Sequence, residues 1–484
     1  MSKWHNLGCA CCLTAIAFFG LTTTAGAQDA SQREKDLLIL VEALKERVQA
    51  LEDKTAASEM AAPVEAGPIV ERVEALEQAI DEKKAGSDND FRVFWKSGLN
   101  FETNDGTTKL KIGGRIHNDW YWFDQDSSLQ RMVDLEDGTE FRRGRVYISG
   151  TLYENIKFKF QYDFADGDVD FKDVYMEIAK LPGIGNLRIG HFKEPFSLEE
   201  LTSSNDATFM ERALPNIFAP SRNTGIMAHN AFLGEKKHER MTAALGIFRT
   251  TDDYGNDADD GGYSVTARVT GLPWYEEDGR KLVHLGAAYT HRNPDGDVRL
   301  RQRPESHGAA RFVDTGAVDT DAIDSFVLEG ALVLGAFSLQ GEYFFNDFDT
   351  EFLGDHDFDG YYVQASYFLT GEHRPYKNAD AKFDRVVPNN NFKVHGEERG
   401  WGAWEVALRY SHIDLDDGYT SFWDRAFGYN DQIRGGEEDN ITIGLNWHLN
   451  PNTRIMWNYI HADLDSNVYD GDLNIFQTRF QVAF

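Results

Sequence analysis

From about Asp90 to the last residue, apolar side chains recur at every second position. The clearest run is Ile156, Phe158, Phe160, Tyr162 and Phe164, alternating with Lys157, Lys159, Gln161 and Asp163. Successive strand side chains point to opposite faces, so this segment has one greasy face and one charged face. A wall between lipid and water needs that division, and it constrains the chain more than any single motif does. Reading onward at the same period gives outward sets that begin at Leu110, Val146, Ile156, Val174, Leu187, Ile226, Ala243, Tyr263, Val283, Phe326, Phe337, Tyr361, Trp404, Ile441, Ile455 and Phe476. The expectation is an all-β fold: a transmembrane antiparallel β-barrel of about 16 strands.

Connection lengths supply an independent check, because short periplasmic turns alternate with longer outer loops in bacterial barrels. Short turns are expected at Tyr153 to Asn155, Leu181 to Gly185, Gly234 to Arg240, Gly271 to Lys281, Leu334 to Ala336 and Leu449 to Asn452. Long loops rich in Asp and Gly are expected at Phe123 to Glu140, Lys193 to Thr224, Thr250 to Gly262, Arg292 to Ser325 and Ile413 to Asp439. Thr370 to Gly400 breaks the alternation: either the strand count slips there or the barrel carries a periplasmic insertion. Aromatic residues cluster at strand ends, as in Trp120-Tyr121-Trp122 and Tyr361-Tyr362, where amphipathic rings meet headgroups. A soluble protein would need a second apolar layer over all of these strands.

Three segments are expected: a signal peptide at 1–27, a periplasmic coiled-coil and linker segment at 28–89, and the barrel at 90–484. The apolar stretch from Leu7 to Leu21 ends in Ala25-Gly26-Ala27, a secretory cleavage pattern. A lipoprotein start at Cys9 is the rival, but no apolar core precedes it. All three cysteines, Cys9, Cys11 and Cys12, fall inside this leader, which removes disulfides and thiol chemistry from the rest of the chain. Leu37, Val41, Leu44, Val48 and Leu51 recur at spacings of four and three, a short coiled-coil seam from Ser31 to Lys54, and Ile69 to Ile80 repeats it. Helices that short need partner copies, which a threefold assembly would supply. The alternative is a single amphipathic helix lying on some surface.

The net charge of −31 argues against nucleic acid as a partner. No Walker A, G-x-S-x-G, H-E-x-x-H or G-x-G-x-x-G sequence is present, so the chain is not expected to be an enzyme, and neither cofactor nor metal is assigned. The inward positions are basic in contrast to the whole: Lys109, Lys111 and Arg115 on the first strand, Arg143 and Arg145 on the second, Lys157 and Lys159 on the third, with Arg188, Arg268, Arg409, Arg454 and Arg479 further round. Basic charge in a low-dielectric ring draws anions inward. The competing reading is that these residues merely pair with Asp119, Asp163, Asp173, Glu177, Glu329, Glu342 and Glu405 on the same face. Asp355-x-Asp357-x-Asp359-Gly360 matches half of a calcium loop, but Ser366 stands where a bidentate Glu belongs. Loop carboxylates that bridge divalent ions to lipopolysaccharide are the preferred reading of that acidity.

The third outer loop carries Phe196, Leu198, Leu201, Phe209, Met210, Leu214, Ile217 and Phe218, so it is expected to fold into the barrel and present Lys193, Arg212 or Arg222 to a permeant ion. The segments Phe141-Arg142-Arg143-Gly144-Arg145, Gln161 to Ala165, Phe192 to Ser203, Phe209 to Arg212 and Arg222-Asn223 resemble the phosphate-selective porins O and P. The likeness runs from about Phe91 to Phe484. It implies a homotrimer of sixteen-stranded barrels with an inward third loop and basic residues that pass phosphate or polyphosphate. The N-terminal coiled coil is additional to that pattern. Phe480, Val482 and the last residue, Phe484, resemble the terminal signal read by barrel-assembly machinery. The resulting expectation is an outer-membrane porin passing small anions, embedded in lipid and lipopolysaccharide, with its N-terminal segment in the periplasm. The alternative is a structural barrel anchoring the coiled coil to the cell wall and allowing general unselective diffusion. A secreted β-rich enzyme is a third reading.

Overall fold

A computed structural model describes residues 45–46 and 91–484, apart from 236–237, 257–261, 295, 351–354, 396–398, 419–431 and 467. The expected signal and coiled-coil segments lie outside the described residues, except for helical Lys45 and Glu46. A hairpin of β1 (Phe91–Trp95) and β2 (Leu99–Thr103) comes first. The wall then runs through β3 (Lys109–Gln125), β4 (Gly138–Leu152), β5 (Ile156–Asp163), β6 (Asp170–Leu181), β7 (Gly185–Lys193), β8 (Arg222–Phe232), β9 (Met241–Arg249), β10 (Ser264–Glu276) and β11 (Lys281–Arg292). Four two-residue strands follow in the next loop: β12 (Asp297–Val298), β13 (Arg301–Gln302), β14 (Val313–Asp314) and β15 (Val318–Asp319). The wall resumes with β16 (Ala322–Leu334), β17 (Phe337–Asp349) and β18 (His356–Phe368). After β19 (Tyr376–Lys377) and β20 (Lys382–Phe383), it is completed by β21 (Ala403–Asp417), β22 (Ile433–Asn450), β23 (Thr453–Asp465) and β24 (Asp470–Ala483).

Every neighbouring wall pair is antiparallel, and β24 pairs with β3 from Leu473↔Gln125 to Ala483↔Arg115, which closes sixteen strands into a barrel. Closure removes the open sheet edges that lipid cannot satisfy. Where β24 runs out, β2 takes its place beside β3, from Leu99↔Ile112 to Glu102↔Lys109. The seam requires small residues. A Cβ on Gly113 would lie 2.3 Å from the Phe484 carbonyl oxygen and 2.4 Å from the Tyr147 ring. The Gly114 N–H donates to Phe484 O (2.8 Å), and Phe484 N–H donates back to Gly114 O (2.9 Å).

The outward sets read from the sequence face away from the lumen. Leu285, Leu328, Leu408 and Ile443 are each more than half exposed, as residues that meet lipid should be. Trp404 stacks between Trp447 and Trp457 near the short-turn end, and Trp122 stacks on Phe476 near the other. One connection is shorter than expected, because β10 runs on through a bulge to Glu276. The partial calcium-loop match at Asp355 to Gly360 does not fold as a loop. Asp357 and Asp359 lie within β18 on its outward face, and Gly360 continues the strand instead of turning it.

The long Thr370 to Gly400 connection is an insertion at the short-turn end and not a slip in the count, because β18 pairs directly with β21. It turns back into the lumen. Phe383 packs among Leu198, Leu272, Tyr275, Leu282 and Val333, and Arg268 donates to Ala381 O (3.0 Å). From the opposite end the third outer loop enters, as its composition requires. Phe196, Leu214 and Phe218 bury against Phe344, Phe348, Phe358, Tyr362, Ile413 and Leu415 of the wall. The loop after β11 adds Leu300, Val313 and Val318 to this core. The β16 to β22 side of the lumen is therefore packed, and open space remains along β3 to β10.

Candidate functional site: a basic lumen

That space is a cavity of about 370 Å³. Eleven Arg and Lys side chains line it against two carboxylates, Asp173 and Asp380. Seven of the residues expected to meet an anion are among them: Arg115, Arg143, Arg145, Lys159, Lys193, Arg212 and Arg222. Three are not. Lys109 sits at the rim, 2.7 Å from Glu102 of β2; Lys111 reaches over the Tyr147 ring; Lys157 pairs with Glu177 at 2.7 Å.

Most of the lining charges have a carboxylate at hand. Arg145 meets Asp163 at 2.6 Å, Lys159 and Arg222 share Asp173 at 2.5 and 2.8 Å, and Arg188 meets Glu177 at 2.6 Å. Lys193 and Arg212 converge on Glu200 at 3.0 and 3.2 Å. Burial alone would raise the Glu200 carboxyl, but Arg212 and Lys193 hold it down at about 2. Glu211, at the inner end of the same loop, stays well below the usual carboxylate range: burial opposes this, and Arg142, Arg143 and Arg479 outweigh it.

Arg115 and Arg143 differ from the rest. Arg115 donates to Ser204 Oγ (2.8 Å), and its Nε has no partner among the described residues. Arg143 is 5% exposed, its Nη1 stands 3.6 Å from Glu211, and neither Nε nor Nη1 has a hydrogen-bond partner among the described residues. A buried guanidinium short of acceptors is costly unless something supplies them, and an anion in this cavity would.

Two groups of inward residues escape a strict period-two reading. Arg142 turns inward beside Arg143 because β4 carries a bulge: His117 faces Arg143, the next pair is Asn118 and Phe141, and Arg142 is the extra residue. Arg142 then pairs with Glu211 at 3.0 Å. The signal was visible as a phase break, since Phe141 is odd-numbered while Val146 and Ile148 are even and all three face outward. Lys377, Asp380 and Lys382 come from the insertion and form the cavity floor, where Lys377 and Asp380 pair at 2.5 Å. Arg301, Arg303 and Arg311 of the loop after β11 form a like-charged group. Burial and neighbouring arginines together lower the affinity of Arg303 and Arg311 for their protons. Arg409 and Arg479, placed on the lumen wall by sequence, are 1% and 0% exposed and anchor the inward loops. Arg409 binds Glu305 and, at 3.4 Å, Glu199; Arg479 binds Asp119 at 2.6 Å and Glu211 at 2.7 Å.

A closed sixteen-stranded barrel with an apolar outer band and a charged lumen narrowed by an inward loop defines a porin. The profile of the family described as phosphate-selective porin O and P matches residues 110–484, and the chain belongs to that family. Porin O of Pseudomonas aeruginosa is 29% identical over 428 residues, which span 82% of this chain and 93% of that protein. An uncharacterised protein of Caulobacter vibrioides is 26% identical over 416 residues, 81% of this chain and 77% of the other. Among solved structures, an anion-selective porin from Comamonas acidovorans aligns with a TM-score of 0.46 at 15% identity, covering 78% of this chain and all of that one. A trimer form of Vibrio cholerae OmpT aligns at 0.48 and 10% identity, over 78% of this chain and 100% of its own. The protein is an outer-membrane porin, and its function is that of a channel.

Proposed function

We propose that the channel passes small anions, with phosphate-like oxyanions held at Arg115 and Arg143. The observation that carries this reading is the lining of the cavity: eleven basic side chains against two acidic ones, in a chain whose net charge is −31. Low-dielectric walls focus that local excess, so the lumen and not the whole molecule sets the sign of the permeant ion. Planar guanidinium groups match the oxygens of phosphate in pairs, and Ser203 and Ser204 stand beside Arg115 to complete a polar cradle. The group of Arg301, Arg303 and Arg311 on the outer loop after β11 would gather anions from the outer face, and Lys377 and Lys382 would receive them at the floor.

In the same reading the porin is a homotrimer surrounded by lipid and lipopolysaccharide. Its last strand, with Phe480, Val482 and Phe484, serves as the assembly signal, and an N-terminal segment lies in the periplasm. The outward Phe480 and Val482 are 47% and 42% exposed, and Phe484 stacks on Trp95. The test is phosphate titrated into a chloride current across a planar bilayer. Saturable block supports an oxyanion site, and a current indifferent to phosphate contradicts one.

A further inference from the structure

Among the contacts by which the wall holds the third loop is one carboxylate that neither the ion-pair ladder nor the cavity lining includes. Glu342 of β17 is 3% exposed. Its Oε1 accepts the Leu198 N–H at 2.7 Å, and its Oε2 accepts the Glu199 N–H at 2.9 Å, the Tyr362 hydroxyl at 2.6 Å and the Ser197 hydroxyl at 3.2 Å. Both hydroxyls also accept elsewhere, Ser197 Oγ from the Glu200 N–H and Tyr362 from Gln340, so their protons point to Glu342. Four donors therefore converge on two oxygens, and no ion pair reaches this carboxylate among the described residues. Only an acceptor at both positions satisfies them.

We propose that Glu342 is the positioning residue for the constriction: as a carboxylate it latches Ser197-Leu198-Glu199 to the wall and so sets where Lys193 and Arg212 stand in the cavity. The link is direct. Ser197 adopts φ +65, a left-handed conformation that a non-glycine residue holds only when its surroundings enforce it. Its hydroxyl bridges Glu342 to the Glu200 N–H, and Glu200 holds Lys193 and Arg212. The neighbouring Phe196 and Leu198 are fully buried, so releasing the latch shifts apolar anchors as well as charges.

Glu342→Gln tests this, because the amide has the same shape but must aim N–H donors at either the Leu198 or the Glu199 N–H. The proposal rests on the anion-channel reading, and one recording separates the two. The full chain is reconstituted, its folded state is checked by heat-dependent mobility in detergent gels, and phosphate block of the chloride current is compared among wild type, Glu342→Gln and Glu342→Asp. In the folded Gln variant the half-blocking phosphate concentration should rise by about tenfold and open conductance should increase. The Asp variant, which keeps two acceptor oxygens, should recover part of the block. A folded Gln variant blocked like wild type, or an Asp variant no better than Gln, overturns the latch. If Gln does not fold, Tyr362→Phe, which removes one donor and leaves the carboxylate, should give a smaller rise, and an unchanged block there overturns it equally. A wild type that phosphate does not block refutes the oxyanion site itself.

Discussion

Arg115 and Arg143 stand apart from the other basic residues of the lumen in what faces them. Arg145, Lys159, Arg188 and Arg222 each have a carboxylate within 2.8 Å. Arg115 and Arg143 have hydroxyls, a distant Glu211 and unpartnered nitrogens. Replacing both by Gln should abolish phosphate block, whereas Arg188→Gln should leave most of it, as titration of the chloride current would show. The pairing of Glu200 makes a second prediction. Its folded value of about 2 lies below the ordinary 4.5, so its contribution to seating the loop is complete above the unfolded value and is lost only as the pH falls through about 2. Chloride conductance should thus hold steady from about pH 7 to about pH 4 as far as this anchor is concerned. Acid-induced opening in that range that vanishes in Glu200→Gln would contradict the assignment. At this scale the sequence was only partly legible. Seven of the expected anion-facing residues do line the cavity: Arg115, Arg143, Arg145 and Lys159 because phase aims a strand side chain inward, and Lys193, Arg212 and Arg222 because the apolar third loop folds in. Phase does not show which charges are already paired, since Asp173 and Glu177 act from neighbouring strands and Glu200 and Glu211 from a loop. Nor does phase reveal that Arg142 turns inward, where one bulge turns two consecutive residues to the same side.

Among the elements, the wall strands were the most legible, since lipid on one side and water on the other force strict alternation. Leu328 sits in the middle of β16 with 63% of its surface outward. Leu328→Arg should lower the unfolding free energy in lipid by about 2–4 kcal/mol, as measured by denaturant titration into vesicles. An inward substitution of the same kind would not incur that penalty. The seam is the other sensitive element. Gly113→Ala places a methyl group against the Phe484 carbonyl and the Tyr147 ring, so the folded, heat-modifiable fraction after refolding should fall sharply. A fully folded Ala variant would show that the terminal residue does not close the barrel in this way. The Thr370 to Gly400 insertion was legible as an anomaly of length but not in its path. Its return into the lumen depends on Phe383 meeting Leu198 and Leu282, and on Arg268 meeting Ala381, contacts between segments far apart in sequence.

Across the whole molecule, the charges are sorted by place. A strongly acidic chain builds a basic lumen because its inward strand positions carry Arg and Lys, whereas Asp and Glu concentrate in loops and behind the lining as partners. The packed half of the lumen, filled by the third loop and the loop after β11, leaves its open space along β3 to β10, where a permeant ion would meet the basic wall and not the centre of the barrel. The most direct test of this account is the zero-current potential of the reconstituted porin in a steep potassium chloride gradient. The account predicts a potential on the chloride side that shrinks when Arg115 and Arg143 are neutralised. A potential on the potassium side would mean that the acidic loops govern permeation, contradicting the account at its centre.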